Sequence, residues 1–173
     1  TRHADSGIIR VQGGKFAATL LRHAGDWIDG ATVIMCGMIG SRQGWVEAPY
    51  APCPAGTAEL AAQLVAVSAA PVRTLIVPGV SVRHANGVPD VMRGEEVQLF
   101  GAMQLTGLQD GMFVLPGTHN KWARVRNGRV MSFKTFMSGE VYALLSQHSI
   151  LAKTLDASAP LDTPAFLEGV RLS

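Results

Sequence analysis

The sequence has few cysteines, few charged residues and only short apolar runs. Cys36 and Cys53 are the only cysteines among 173 residues, too few for a disulfide scaffold and without the paired spacing of a zinc site. We therefore expect two free thiols and a cytoplasmic protein. A charged fraction of 16% and a net charge of +2 argue against disorder and against a basic nucleic-acid-binding tail. Because no apolar run approaches the roughly 18 residues that cross a bilayer, we expect no membrane partner, and the 47% of hydrophobic residues must fill a core.

Several catalytic and nucleotide-binding signatures are also missing. The chain contains neither the Gly-x-x-x-x-Gly-Lys-Ser/Thr string of the P-loop nor Gly-x-Gly-x-x-Gly, and it has no Gly-x-Ser-x-Gly elbow. The histidines show no metal-ligand spacing: His3, His23, His84, His119 and His148. These absences argue against two common mononucleotide folds, a serine hydrolase and a histidine-based metal site.

The apolar periodicity predicts an α/β protein. Helices are predicted at 16–27, 57–67, 95–105 and 139–151, and strands at 32–36, 74–77, 112–115, 121–125 and 130–136. Strands that alternate with helices in the first part favour a parallel sheet, and Asn127-Gly128 favours a hairpin between the last two strands. The simplest organisation is two lobes, 1–109 and 110–173, and the tail beyond 151 has no strong pattern.

A glycine-rich loop at 36–45 follows the first predicted strand, which is where open α/β sheets bind ligands. Arg42 could grip a carboxylate with two parallel hydrogen bonds, Ser41 and Gln43 could read hydroxyl groups, and Trp45 could cover an apolar edge. The alternative is a structural turn with a solvated arginine.

Two further segments carry candidate chemistry. Asp90, Glu95 and Glu96 surround the start of the third helix, where acids are also favoured by the helix dipole alone. Their functional interpretation is a general base or a ligand of magnesium-bound water. The loop around Gly117-Thr118, with Lys121, could bind phosphate through backbone N–H groups, a hydroxyl and an ammonium group, or it could be a plain hairpin.

Several of these strings occur together and in order, and they resemble the 2-dehydro-3-deoxygalactonokinase family over most of the chain. The matching strings are Cys36-Gly-Met-Ile-Gly-Ser-Arg-Gln-Gly-Trp-Val-Glu-Ala-Pro-Tyr50, Ile76-Val-Pro-Gly-Val-Ser81, Pro89-Asp-Val-Met-Arg-Gly-Glu-Glu96, Leu115-Pro-Gly-Thr-His-Asn-Lys-Trp122 and Phe136-Met-Ser-Gly-Glu140. The resemblance implies the two-lobe, ribonuclease-H-like fold of the sugar kinase, hexokinase and actin superfamily. The first lobe would be mostly present and would bind the sugar, and 110–173 would begin the nucleotide-binding lobe. The family's first phosphate loop and adenosine pocket have no counterpart here, so we expect a fragment that lacks both ends and that could be inactive alone.

The resemblance also implies a reaction and its residues. ATP with Mg²⁺ would phosphorylate the 6-hydroxyl of 2-dehydro-3-deoxy-D-galactonate in galactonate catabolism. Glu95 would be the base, with Asp90 as the second choice, and Glu96 would face the metal. The remaining assignments are Ser41, Arg42, Gln43, Trp45, Arg83 and Arg93 for the substrate, and Gly117, Thr118, His119 and Lys121 for phosphate. A kinase for another sugar acid and a non-catalytic sugar-acid-binding fragment stay open as alternatives, and so does the oligomeric state, including a homodimer.

Overall fold

The computed structural model describes residues 1–156 and 158–173 and shows an α/β protein with mixed sheets. By packing, the chain divides into two compact units, Thr1–Phe136 and Met137–Ser173. The first unit holds every strand described below, and the second is helical. Among the described residues, no helix is both long and apolar enough to cross a membrane.

Five α-helices are described. They are α1 at Phe16–Ala24, α2 at Thr57–Ala61, α3 at Glu95–Thr106, α4 at Ser138–His148 and α5 at Thr163–Leu172. Helix α3 begins after Gly94, has Glu95 and Glu96 in its first turn, where the helix dipole favours acids, and stops at the left-handed Gly107. Helix α5, which the sequence did not predict, is capped by Asp162, whose carboxylate accepts from Ala165 N at 3.0 Å.

Nine strands form three small sheets in the first unit. In chain order they are β1 at Val33–Met35, β2 at Tyr50–Pro52, β3 at Val65–Ala66, β4 at Thr74–Ile76, β5 at Gly79–Arg83, β6 at Pro89–Met92, β7 at Gly111–Leu115, β8 at Asn120–Arg126 and β9 at Arg129–Phe136. The sheet orders are β1-β4-β3, β2-β5-β6 and β7-β8-β9. The pair β1–β4 is parallel, as predicted, and so is β2–β5. The pairs β3–β4 and β5–β6 are antiparallel, so both sheets are mixed rather than purely parallel. The third sheet is an antiparallel meander whose last turn is Asn127-Gly128.

One hydrophobic cluster joins the second and third sheets. Val80 and Met92 from the second sheet, Leu99 from α3, and Val130 and Phe133 from β9 are buried in it together. The bridge between Ala55 and Val130, with N···O distances of 3.0 and 2.8 Å, adds backbone hydrogen bonds to this junction. The strands 111–136 therefore pack with the residues that precede them.

This packing bears on the predicted division at 109/110. The change from one packed unit to the other comes after Phe136, because β8 and β9 contribute buried side chains to the core of the first unit. The packing units thus differ from the predicted ranges 1–109 and 110–173. A functional division at 109/110 stays a prediction.

Most predicted elements are present, with some changes of extent and kind. The helix expected at 57–67 stops at Ala61, and Val65–Ala66 instead forms β3, paired antiparallel with β4. The strands β2, β5 and β6 were not predicted. They are short and contain Gly or Pro, which weakens the sequence signal for a strand.

Candidate functional site

A cleft of about 340 Å³ lies between the start of α3 and the loop that follows β7. Its volume lies within the range of small-molecule sites. Both walls had been singled out in the sequence, one for its acids and one for its Gly-Thr pair. The lining residues are Met38, Arg93, Gly94, Glu95, Gln98, Leu115, Pro116, Gly117, Thr118 and His119.

Glu95 is the carboxylate that lines this cleft. It is half-buried at the first position of α3, and its Oε2 accepts a hydrogen bond from Arg93 N at 3.0 Å. This hydrogen bond fixes one carboxylate oxygen of Glu95, and the Glu95 side chain borders the cleft. The arrangement suits a general base, which must be both oriented and reachable by substrate.

The backbone before Glu95 is held in an unusual conformation by a close approach of two glycines. Gly94 has φ +107°, and a Cβ there would lie 3.1 Å from Gly37 Cα. Gly37, with φ +84°, begins the loop after β1. Only glycine fits comfortably at position 94, because the left-handed φ and the short contact both penalise a side chain. The loop after β1 and the start of α3 are therefore in backbone contact.

The side chain of Arg93 holds the segment just before α3, here called the corner, against residues at the start of β2. Its Nη2 donates to Ala48 O at 2.8 Å, its Nε donates to Tyr50 Oη at 3.3 Å, and its guanidinium carbon lies 4.2 Å from the centre of the Tyr50 ring. Nη1 is buried near Gly40 and has no hydrogen-bond partner among the residues that the structure describes. The resemblance implied a substrate-binding role for Arg93, but its guanidinium nitrogens are bonded to protein atoms or buried.

Glu96 points into the core rather than into the cleft. It is 0% exposed, and both carboxylate oxygens accept from Gly94 N, at 2.8 and 2.7 Å. Burial raises the pKa of the Glu96 carboxyl to about 7, and the negative charge of Glu95 adds to the effect, while the hydrogen bonds and Arg93 oppose it. This buried position does not favour the metal role predicted for Glu96.

The opposite wall is the turn between β7 and β8. Gly117 N donates to Asn120 Oδ1 at 2.6 Å, which closes the turn, and Gly117, Thr118 and His119 are exposed on the cleft side. Three of the four predicted phosphate-binding residues therefore line the same cleft as Glu95.

Lys121, the fourth predicted phosphate residue, lies elsewhere. It is only 4% exposed, and its Nζ donates to Val91 O and to Thr135 Oγ1, both at 2.7 Å. The two-residue period of β8 explains this, because Lys121 shares the buried face with Ala123 and Val125. Lys121 therefore ties β8 to β6 instead of reaching the cleft.

Asp90, the second choice for the base, belongs to the same buried network. Its carboxylate accepts from Thr135 N at 2.8 Å, from Thr135 Oγ1 at 2.6 Å and from Val91 N at 2.8 Å. His84 Nε2 lies 3.7 Å from it. With 17% of its side chain exposed and these contacts made, Asp90 is placed to hold β6 against β9. The geometry favours Glu95 over Asp90 as the base.

The loop residues predicted to bind substrate do not line the cleft. Ser41 Oγ donates to Met38 O at 2.8 Å, and the Arg42 side chain is 88% exposed, with its Nε 3.7 Å from Glu47 Oε1. Gln43 is also exposed. Met38, from the same loop, is the residue that reaches the cleft.

Trp45 and Arg83 lie in two other places. Trp45 stacks on Phe16 of α1, with ring centroids 6.0 Å apart, inside an apolar pocket of about 220 Å³. Arg83 is at the far end of the β5–β6 hairpin, pairs in register with Pro89 and donates from Nη1 to Gly87 O at 2.8 Å. Four strand residues separate it from the cleft end of the hairpin, or roughly 13 Å. The structure therefore does not gather the six predicted substrate residues into one site.

Some cleft residues were not foreseen. Met38 and Gln98 line the cleft, and Tyr50 supports Arg93 from the second sheet. Gln98 lies three residues after Glu95, on the same face of α3, so helical spacing could have identified it. No sequence signal links Tyr50 to Arg93, because β2 and β5 first have to pair.

A magnesium site built from protein ligands alone is not seen. Within residues 1–156 and 158–173, no three His, Cys, Asp or Glu side chains converge. The cleft offers the single carboxylate of Glu95. Mg²⁺ commonly uses one or two carboxylates together with water and substrate phosphates, so the cleft fits a cation that arrives with a nucleotide better than a resident one.

Comparisons with known proteins identify the same family that the sequence motifs resemble. The sequence model of the family described as 2-keto-3-deoxy-galactonokinase matches residues 1–173. The chain is 36% identical over 180 residues to the 2-dehydro-3-deoxygalactonokinase of Escherichia coli (strain K12), which covers 96% of this chain and 60% of that protein. It is 44% identical over 120 residues to "Probable 2-dehydro-3-deoxygalactonokinase DgoK1" of Rhizobium meliloti (strain 1021), with 69% of this chain and 39% of that protein covered.

A solved structure is similar in fold as well as in sequence. A crystal structure from Sinorhizobium meliloti, described as a 2-dehydro-3-deoxygalactonokinase protein, superposes with a TM-score of 0.82 at 38% identity. The match covers 92% of this chain and 53% of that one. The chain thus spans between 39% and 60% of the length of the curated relatives it matches. On the family match over all its residues, the chain belongs to the 2-keto-3-deoxy-galactonokinase family.

Proposed function

We propose that this chain acts in a kinase that transfers the γ-phosphoryl group of ATP to the 6-hydroxyl of 2-dehydro-3-deoxy-D-galactonate. The observation that carries the proposal is the cleft in which Glu95 faces the exposed Gly117-Thr118 turn, in a chain of this family. Phosphoryl transfer needs a group that orients and deprotonates the attacking hydroxyl, and a polar loop that positions phosphate. The two walls of the cleft supply these parts.

In the proposed reaction Glu95 accepts the proton of the sugar 6-hydroxyl. The new bond forms between that oxygen and the γ-phosphorus, the bond from the γ-phosphorus to the β,γ-bridging oxygen breaks, and ADP leaves with the electron pair of that bond. The hydrogen bond from Arg93 N keeps the Glu95 carboxylate in place before substrate binds. A preset geometry of this kind lowers the barrier because less ordering remains for the reactive step.

The Gly117-Thr118 turn is the proposed phosphate contact. It is exposed, it has a hydroxyl at Thr118, and its shape is fixed by the bond between Gly117 N and Asn120. Mg²⁺ would accompany the nucleotide and neutralise phosphate charge, with Glu95 as the nearest protein carboxylate. The antiparallel meander β7–β9 is compatible with the ribonuclease-H-like lobe that the resemblance implies. We also propose a cytoplasmic location and small-molecule partners, the sugar acid and ATP.

The test is a coupled assay of ADP release by the complete gene product that contains this chain. ADP should form with Mg-ATP only when 2-dehydro-3-deoxygalactonate is added. Glu95→Gln should lower kcat at least about a hundredfold, because it removes the base but keeps the side-chain volume. Glu47→Gln, at a carboxylate that does not line the cleft, is the matched control and should turn over normally. Near-normal turnover of Glu95→Gln would exclude Glu95 as the base, and sugar-independent ADP release would contradict the kinase assignment.

A further inference from the structure

We propose that Arg93 is a positioning residue that fixes the Glu95 carboxylate, and that it does not bind the substrate carboxylate. The proposal rests on the proposed function, in which Glu95 is the base. It reverses the role that the sequence suggested for Arg93, since an arginine beside a sugar-acid site would ordinarily be expected to pair with the acid.

The side chain of Arg93 is fastened to residues at the start of β2, which lies in the same sheet as β6, the strand that Arg93 follows. Nη2 donates to Ala48 O at 2.8 Å, just before β2, and the guanidinium carbon lies over the Tyr50 ring, 4.2 Å from its centre. Nε donates to Tyr50 Oη at 3.3 Å. A planar guanidinium that both stacks and donates is fixed in direction as well as in place.

The backbone of Arg93 carries that fixed position to the cleft. Arg93 N donates to Glu95 Oε2 at 3.0 Å, and Gly94, the residue between them, is held against Gly37 at φ +107°. A side chain anchored behind the corner and a backbone N–H directed at the carboxylate therefore belong to one residue. A shift of the Arg93 main chain would move the hydrogen bond that orients Glu95.

The guanidinium nitrogens are bonded to protein atoms or buried, which disfavours pairing with a substrate anion. Nη2 and Nε are taken by Ala48 and Tyr50. Nη1 is buried, and a Cβ placed on Gly40 would lie only 3.0 Å from it. A substrate carboxylate could reach Nη1 only if the loop that contains Gly40 were displaced. Arg93 also lines the cleft, but its Nη1 is buried and its Nη2 donates to Ala48 O.

The experiment compares Arg93→Met, Tyr50→Leu and the double variant in the complete gene product, by steady-state kinetics of ADP release. Tyr50 does not line the cleft but holds Arg93. Each single variant should lower kcat by roughly ten- to a hundredfold, the scale of a displaced catalytic group. KM for the sugar acid should change much less. The double variant should have a kcat only slightly below that of Arg93→Met, because both changes break the same Arg93–Tyr50 contact, which we call the clamp.

Opposite kinetics would overturn the proposal. A substrate-binding arginine predicts a raised KM for the sugar acid in Arg93→Met, a normal kcat at saturation, and no effect of Tyr50→Leu. Thermal unfolding of each variant identifies a general loss of folding. Tyr50→Phe keeps the ring and removes only the hydrogen bond to Nε, so kcat should fall less than in Tyr50→Leu; an equal or larger loss in Tyr50→Phe would contradict the contribution of the ring contact.

A second readout separates this proposal from the proposed function. By NMR, amide hydrogen exchange at position 93 should be slow in the wild type, because that N–H donates to Glu95, and about tenfold faster in Arg93→Met and in Tyr50→Leu. This measurement needs no turnover, so it tests the clamp even if the wild type does not phosphorylate the sugar acid. Unchanged exchange in both variants would refute the clamp while leaving the kinase assignment standing.

Discussion

The buried carboxyl of Glu96 predicts an unusual dependence of stability on pH. Burial raises the folded-state pKa of this group from 4.5 to about 7. The folded protein therefore holds a proton that the unfolded chain releases between these two pH values. Stability from this group is fully present below about pH 4.5 and is lost as the pH rises to about 7, since the free energy of unfolding falls wherever the native state binds more protons.

The size of the effect follows from the shift. Each pKa unit corresponds to about 1.4 kcal/mol, so the full change is about 3 kcal/mol, of which about 2 to 3 kcal/mol falls between pH 5 and pH 8.5. Glu96→Gln removes the titration but keeps the volume and an oxygen that can still accept from Gly94 N. We therefore expect Glu96→Gln to gain stability relative to wild type as the pH rises, by about 2 to 3 kcal/mol over this range.

Urea unfolding at half-unit steps from pH 5 to pH 8.5 measures the difference directly. In a parallel thermal unfolding experiment, a stability change of this size would raise the Tm of Glu96→Gln relative to wild type by roughly 5–10 °C for a chain of this length. Glu47→Gln, on the surface, controls for the loss of one negative charge. A difference between Glu96→Gln and wild type that stays constant over the whole pH range would refute the argument that burial raises the pKa of Glu96.

Further expectations concern the junction of the sheets and the corner before α3. Lys121→Met should destabilise the protein by about 1–3 kcal/mol, because Thr135 and Val91 O lose a buried partner, yet leave KM for ATP unchanged; a large rise in this KM would return Lys121 to the phosphate site. Gly94→Ala should cost about 1–3 kcal/mol through its strained φ and its contact with Gly37, measured by urea unfolding. Gly101→Ala in the middle of α3, where a Cβ meets nothing within 4 Å, should instead stabilise by about 0.5–1 kcal/mol; similar effects at both glycines would contradict the role of Gly94.

The sequence predicted the elements whose signals are local. Helix α3 has acids in its first turn and a glycine at its end, and β8–β9 has Asn-Gly at its turn, so neighbouring residues determine both. The strand β2 was missed because its partner β5 is distant in the chain, and β5 and β6 were missed because they are short and contain Gly or Pro. The end of α2 was misplaced because apolar spacing at 60, 64 and 67 also occurs where a short helix is followed by a strand.

The candidate site shows the same division between local and distant information. Glu95 and the Gly117-Thr118 turn line one cleft, since each lies at a chain feature, a helix start or a tight turn, that exposes it, and their roles stay predictions. Lys121 was misassigned by its nearness in sequence to that turn, although strand alternation predicts that it faces the core. The position of Arg93 depends on Tyr50, 43 residues away, and no local pattern contains that contact.

The shared cluster of the second and third sheets also matters for how the chain is made. Val80, Met92 and Leu99 leave the ribosome before their partners Val130 and Phe133 do. Until β9 has been synthesised, this apolar surface lacks its cover and is open to wrong contacts. The core of the first unit can close only after about residue 136 has emerged. A pause in translation shortly before that point would prolong the exposure of this apolar surface. A pause shortly after it would allow the first unit to finish folding.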